Sequence, residues 1–180
     1  MLSLLQWSLC CLCSSSFVGV CEMVGAEDKQ NQRANEQYLM EFRVYLEAQG
    51  LSERTIEKHV KNIDFFLNEY LVYEVQEDWN KLDHQRNFDD QIEDDNQIKP
   101  LSMEDGCEEI GYFIEYFFLR KCLWSSPAAI QDYCAAFKKF YLCMLKNGHI
   151  SKGSYEVVLE TIKNGKPNWI REWNGLFLDS

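Results

Sequence analysis

The sequence predicts an all-α protein, a compact bundle of four to six helices, and three observations favour this class. The chain has 3 Pro and 9 Gly in 180 residues, so few positions interrupt a long helix. It also has 11 Phe, 9 Tyr and 5 Trp, which is enough aromatic surface for a packed core rather than a disordered chain. Apolar residues recur with a helical period, and no segment alternates as a strand does.

The first two predicted helices are separated by a marked turn. Residues 35–49 form the first, and Gly50 supplies the left-handed residue that commonly ends a helix. Ser52 is a suitable N-cap for the second helix, which extends to about residue 71. Their predicted core stripes are Leu39, Phe42 and Leu46 in the first helix and Ile56, Val60, Ile63 and Leu67 in the second.

The third and fourth predicted helices lie in the second half of the chain. The third covers residues 103–122, and the fourth starts at Ser126 with Pro127 in its first turn, where proline is tolerated. Gly148 ends the fourth helix. The inward residues are expected to be Ile110, Ile114 and Phe117 in the third helix and Ile130, Cys134, Phe137 and Tyr141 in the fourth.

A fifth helix begins at Ser151 or Ser154. The pair Asn164-Gly165 is a typical helix stop, and Pro167 then opens a short last helix. Two tryptophans of this last helix, Trp169 and Trp173, are expected to fold back onto the core. The alternative is that they anchor a partner protein.

The sequence divides into an N-terminal extension, residues 1–34, and a single helical domain, residues 35–180. Residues 1–21 contain no charge and hold half of the 8 cysteines. Three interpretations remain open: a translated upstream extension with Met23 as the true start, a secretory signal peptide, or a membrane anchor.

An acidic insertion, residues 76–100, joins the second and third helices with a net charge of −5. Its run DDQIEDDNQ lacks the glycine that a helix–loop–helix calcium site requires, so the sequence favours a solvated loop over a metal site. A mobile acidic segment could also lie across a basic helix face and compete with phosphate for it.

No motif for a cofactor or metal is present, and none is expected. Cys107, Cys122, Cys134 and Cys143 have no paired spacing and are expected to be buried, reduced thiols. Reduced thiols indicate a reducing compartment and hence a cytoplasmic protein.

A basic face is the feature least expected in a chain with a net charge of −11. Arg54, Lys58 and Lys61 share the side of the second helix opposite its core stripe, and Lys139 and Lys146 lie outward on the fourth helix. The simplest interpretation of this face is an ordinary solvated surface, because soluble helices carry Lys on their outer sides.

The pattern F-x-x-YL-x-x-x-GLSERTI, from Phe42 onward, and the run AAIQDYCAAFKKFYLCMLKNGHI resemble the core-binding (SAM-like) domain of tyrosine recombinases and phage integrases. The resemblance covers about residues 35–150. It implies an all-helical domain that clasps DNA, with the second and fourth helices among the contacts. By position, the resemblance implies that the candidate DNA contacts are Arg54, Lys58, Lys61, Lys139 and Lys146.

The resemblance does not extend to the catalytic domain. After Glu156 only 24 residues remain, too few for the arginine-rich pocket and tyrosine nucleophile of that family. The expected function is therefore non-catalytic: weak, salt-dependent DNA binding or a role as a recombination accessory. The alternative is a protein–protein interaction module that does not bind DNA. No membrane partner is expected, and the sequence does not indicate the oligomeric state.

Overall fold

Five helices make up the described part of the chain. The structure, a computed structural model, describes residues 26–74 and 101–177, and within these ranges it contains no strand. The prediction of an all-α bundle is confirmed. None of these helices is both long and apolar enough to cross a lipid bilayer. The helices are α1 (Ala26–Ala48), α2 (Glu53–Asp64, continued as a π-helical segment Phe65–Glu74), α3 (Gly106–Tyr112, a π-helical segment Phe113–Phe118 and a last turn Leu119–Lys121), α4 (Pro127–Lys146) and α5 (Lys152–Phe177).

Two parts of the sequence-based interpretation lie outside the described residues. These are the uncharged segment 1–21 and the acidic insertion 76–100. The domain boundaries therefore stay predictions, although α1 begins at Ala26 rather than at the expected Asn35.

Two predicted helix ends, at Gly50 and Gly148, and two predicted helix starts, at Ser52 and Ser126, are confirmed by backbone geometry. Gly50 and Gly148 have φ values of 71° and 79°, the left-handed region that ends a helix at little cost only for glycine. Ser52 and Ser126 each accept a hydrogen bond from a backbone N–H in the first turn of the helix that follows. Local capping thus sets the start of α2 and α4 and so the position of their outward faces.

The core is centred on Phe113, which is fully buried in α3. Its ring centroid lies 5.1 Å from that of Phe66 and 5.1 Å from that of Tyr70, both in α2. On the α4 side the Tyr133 ring is 5.2 Å away. Such edge-on and tilted ring pairs add stabilisation beyond the area that they bury. The π-helical segments of α2 and α3 therefore meet through their aromatic side chains, an arrangement that the sequence pattern did not predict.

The prediction that the fifth helix ends at Asn164-Gly165 is wrong. α5 runs without a break from Lys152 to Phe177, with Pro167 inside it. The Trp169 ring packs so closely on Gly165 that a Cβ there would overlap it. Gly165 is thus a packing position within α5, because the ring of Trp169, four residues further along the same helix, occupies the space that a side chain would need.

The expectation that both tryptophans fold back onto the core is confirmed. Trp169 is 3% exposed, and Trp173 packs against the core from a half-buried position. The indole N–H of Trp173 donates to the carbonyl oxygen of Ser125 at 3.0 Å. The far end of α5 is thereby attached to the turn between α3 and α4.

Candidate nucleic-acid interface on α2 and α4

The outward side of α2 carries the predicted basic residues. Arg54, Lys58 and Lys61 are all exposed, while Ile56 and Ile63 on the opposite side are buried. Neither Arg54 nor Lys61 forms an ion pair with another side chain of the described ranges. The structure therefore confirms which side of α2 is exposed and which side is buried, as the sequence predicted.

Lys58 differs from its two neighbours because it has a partner on α4. Its Nζ lies 2.8 Å from Oδ1 of Asp132, and both side chains are partly exposed. An exposed ion pair of this kind stabilises a fold by about 0–1 kcal/mol. Its larger effect is to place a carboxylate within the basic face, which the sequence analysis did not anticipate.

His59 lies beneath this ion pair, between α2 and α4. It is 5% exposed, and its Nδ1 has no hydrogen-bond partner among the described residues. Burial lowers the pKa of His59, and the nearby positive charges of Lys139 and Lys58 lower it further. The charge of Asp132 acts in the opposite direction. The charges of Lys58 on α2 and Lys139 on α4 therefore both act on His59.

The two candidate residues of α4 have different surroundings. Lys139 is half-buried, and its charge acts on His59. Lys146 is exposed, and its Nζ lies 5.0 Å from the centre of the Tyr45 ring of α1. Residues seven apart share one side of a helix and are separated by about 10 Å along its axis. Lys146 therefore extends the basic face towards α1 instead of joining the cluster at His59.

The sign of the charge varies across the face. Glu53 is paired with Arg43 of α1 at 2.8 Å, and Glu57 is exposed next to Lys58. Together with Asp132, these carboxylates divide the cations into smaller groups. The face is basic along the ridge of α2 and mixed where α2 meets α4.

A cavity of about 300 Å³ opens where α2 and α4 diverge. The sequence analysis missed it, because it combines residues that are distant in sequence. Lys61 and Asp132 line it, and Trp124 of the α3–α4 turn stands at its edge. The one local signal was an apolar pair, Leu-Trp, directly before the cap of α4.

Away from the basic face, a cluster of polar side chains links α1 to the turn between α4 and α5. Oε2 of Glu41 lies 2.8 Å from Nε2 of His149 and accepts a hydrogen bond from the side chain of Asn147 at 2.7 Å. Burial alone would raise the pKa of Glu41, but hydrogen bonds from neighbouring side chains outweigh it and hold the pKa below its usual value. These contacts position the turn at Gly148, so we assign the cluster a structural role.

The four cysteines of the helical region are buried and form no disulfide, as predicted. Burial raises the pKa of Cys107 to about 12 and that of Cys134 and Cys143 to about 11. These three thiols are therefore protonated at neutral pH, and a protonated thiol is a poor nucleophile or metal ligand. In the described ranges, no three His, Cys, Asp or Glu side chains are grouped as a metal site.

Comparison of the chain with protein-family models, curated protein sequences and solved structures finds no match in any of the three. The resemblance to a recombinase core-binding domain therefore depends on the sequence motifs quoted above.

Proposed function

We propose that this chain is a non-catalytic DNA-binding module that contacts the phosphate backbone through α2 and α4. The observation that supports the proposal is that Lys58 of α2 and Lys139 of α4 both lie near enough to His59 for their charges to lower its pKa. Cations from two separate helices thus lie on one surface. Arg54 and Lys61 extend that surface along α2, and Lys146 extends it along α4.

The expected binding is weak. Three to five phosphate contacts release few counterions, and non-specific affinities of about 10⁻⁴ to 10⁻⁶ M are typical. The net charge of −11 repels DNA from the rest of the surface, and this repulsion is screened beyond about 10 Å at 0.1 M salt. The module would therefore need either a high local concentration of DNA or a partner that holds it there.

The proposal is tested by titrating a fluorescent DNA duplex at a series of salt concentrations. Arg54→Gln with Lys139→Gln removes two cations and leaves the Lys58–Asp132 ion pair intact. Each lost phosphate contact should reduce the slope of log K against log salt by about 0.9. The matched control is Lys152→Gln with Lys163→Gln, which removes two exposed cations of α5.

The control variant should bind DNA as the unmodified protein does, and the test variant should bind more weakly. Equal affinity of both variants would exclude Arg54 and Lys139 from the interface. If the unmodified protein does not bind at about 0.01 M salt, where the screening length is about 30 Å, the DNA-binding proposal is wrong.

A second candidate function is a protein–protein interaction module. It is favoured by the α3–α4 turn, where Leu123 is 94% exposed and Trp124 is 48% exposed. Apolar and aromatic side chains presented in this way are more typical of protein interfaces than of phosphate contacts.

A further inference from the structure

The turn that joins α3 to α4 is firmly held although its side chains face solvent. The backbone N–H of Ser125 donates to the carbonyl oxygen of Cys122 at 3.0 Å, which closes the turn. The carbonyl oxygen of Ser125 in turn accepts the indole N–H of Trp173 at 3.0 Å. Ser126 then caps α4. Leu123 is therefore exposed although the backbone of the turn is held by hydrogen bonds on both sides of it.

Trp124 is also held in place. Its ring meets that of Phe65 edge-on, with the centroids 5.6 Å apart. Nearly half of its surface is nevertheless accessible to solvent. A rigid and partly exposed tryptophan loses little conformational entropy on binding, which is why such residues dominate the affinity of many protein interfaces.

The cavity beside Trp124 is richer in acidic than in basic groups. Three carboxylates line it, from Asp64, Glu69 and Asp132, against the one ammonium group of Lys61. Because Asp132 is already paired with Lys58, Asp64 and Glu69 are the carboxylates available to a ligand. The cavity volume of about 300 Å³ is at the lower end for small ligands and is suited to a single side chain. Carboxylates next to an aromatic ring attract a cation through both charge and the ring face.

We propose that this cavity and turn form a docking site for a basic segment of a partner protein. An Arg or Lys side chain of the partner enters the cavity between Asp64 and Glu69. An apolar side chain next to it in the partner packs on Leu123 and Trp124. The net charge of −11 also favours a basic partner, since long-range attraction increases the rate of encounter. This site shares Lys61 with the proposed DNA contacts, but it does not depend on DNA binding.

The test uses two blocked dipeptide amides, acetyl-Arg-Leu-amide and acetyl-Glu-Leu-amide, titrated into the full chain labelled with ¹⁵N. The indole N–H signal of Trp124, identified with Trp124→Phe, reports on the site. We expect the arginine peptide to shift this signal until it saturates and the glutamate peptide to leave it unchanged. The proposal is wrong if neither peptide shifts the signal or if both shift it equally.

Charge variants test the role of the carboxylates. Asp64→Asn with Glu69→Gln should weaken binding of the arginine peptide about threefold or more, as expected for two exposed charge pairs, whereas Lys61→Gln should strengthen it. The control, Glu156→Gln with Glu160→Gln, makes the same change in net charge on the exposed side of α5. If both double variants weaken binding equally, general charge rather than the cavity attracts the peptide, and the docking site is excluded.

A short oligothymidylate provides a further comparison. If it shifts the Trp124 signal and the arginine peptide does not, the turn stacks on nucleobases and the protein-docking proposal is overturned. Apart from Lys61→Gln, the variants of this experiment leave all five proposed DNA contacts unchanged. In those variants, loss of peptide binding and loss of duplex binding can therefore be observed separately.

Discussion

Nζ of Lys58 lies 2.8 Å from Oδ1 of Asp132, and this ion pair joins α2 to α4 at the centre of the basic face. Because the pair is partly exposed, its contribution to stability is small, about 0–1 kcal/mol. Its electrostatic effect on an anionic ligand is larger, since Asp132 cancels one of the few cations available. The pair therefore limits DNA binding more than it stabilises the fold.

Replacing Asp132 with Asn should strengthen DNA binding. The change removes a carboxylate from the face and releases Lys58, so we expect affinity for a duplex to rise by about tenfold at low salt if one further phosphate contact forms. The gain should shrink as salt screens the charges. Fluorescence anisotropy at several salt concentrations measures both effects.

The matched control for this variant is Glu172→Gln, which breaks the ion pair with Arg120 (2.8 Å) away from α2. It makes the same change in net charge and should leave DNA affinity almost unchanged. An equal gain in both variants would show that net charge alone controls binding and that the Lys58–Asp132 pair has no specific effect.

Gly106 should not tolerate a side chain. A Cβ at this position would lie 2.7 Å from the hydroxyl oxygen of Tyr141 and 3.0 Å from Cδ1 of Leu71. That hydroxyl is buried and donates to the carbonyl oxygen of Met103 at 3.2 Å, so moving it also breaks a hydrogen bond. Gly106→Ala should lower the free energy of unfolding by about 1–3 kcal/mol, as overpacked cores do. Urea unfolding measures the change.

Gly111 is the control on the same helix. A Cβ there would meet Cγ2 of Thr161 at 3.5 Å, an ordinary contact. Gly111→Ala should therefore stabilise the protein by about 0.5–1 kcal/mol, because alanine loses less backbone entropy than glycine in a helix. Similar losses at Gly106 and Gly111 would contradict the packing described at the start of α3.

Gly165 provides a second packing test, within α5. Its Cβ would overlap the Trp169 ring, so Gly165→Ala should displace that ring and lower the free energy of unfolding by about 1–3 kcal/mol. Tryptophan fluorescence of the folded variant should shift to longer wavelength as Trp169 meets water. Gly175→Ala on the same helix, where a Cβ meets nothing within 4 Å, should be neutral or stabilising. Unchanged fluorescence and stability in Gly165→Ala would contradict the contact.

The features of the fold that depend on neighbouring residues in sequence could be predicted. Caps at Ser52 and Ser126 and left-handed glycines at positions 50 and 148 act within one helical turn, so their residue types identify them. The outward position of Arg54 follows from the period of the apolar stripe. These local signals were enough to establish the helix order and the faces of α2 and α4.

The features that depend on distant residues could not be predicted. Asp132 was not associated with Lys58 because 74 residues separate them. The cavity beside Trp124 requires the α3–α4 turn to lie against α2. A single sequence shows none of these pairings, since helical periodicity describes each helix but not its neighbours.

The stability of the protein should decrease as the pH falls below about 6.5, the pKa of histidine in an unfolded chain. His59 is buried, and burial together with the charges of Lys139 and Lys58 lowers its pKa in the folded state. Between the folded and the unfolded pKa values, His59 binds a proton in the unfolded chain but not in the folded one. The stability that neutral His59 contributes is therefore present above pH 6.5 and is lost as the pH falls through the folded pKa. The free energy of unfolding at about pH 7.5 and about pH 5.5 measures this loss.

Two variants test whether His59 causes the loss. Leucine cannot bind a proton, so His59→Leu should flatten the pH dependence of stability in that window. Asp132→Asn should extend the loss to lower pH, because Asp132 opposes the lowering of the His59 pKa. If His59→Leu keeps the full pH dependence of the unmodified protein, another group controls the acid sensitivity, and His59 is not the buried base between α2 and α4 that its position indicates.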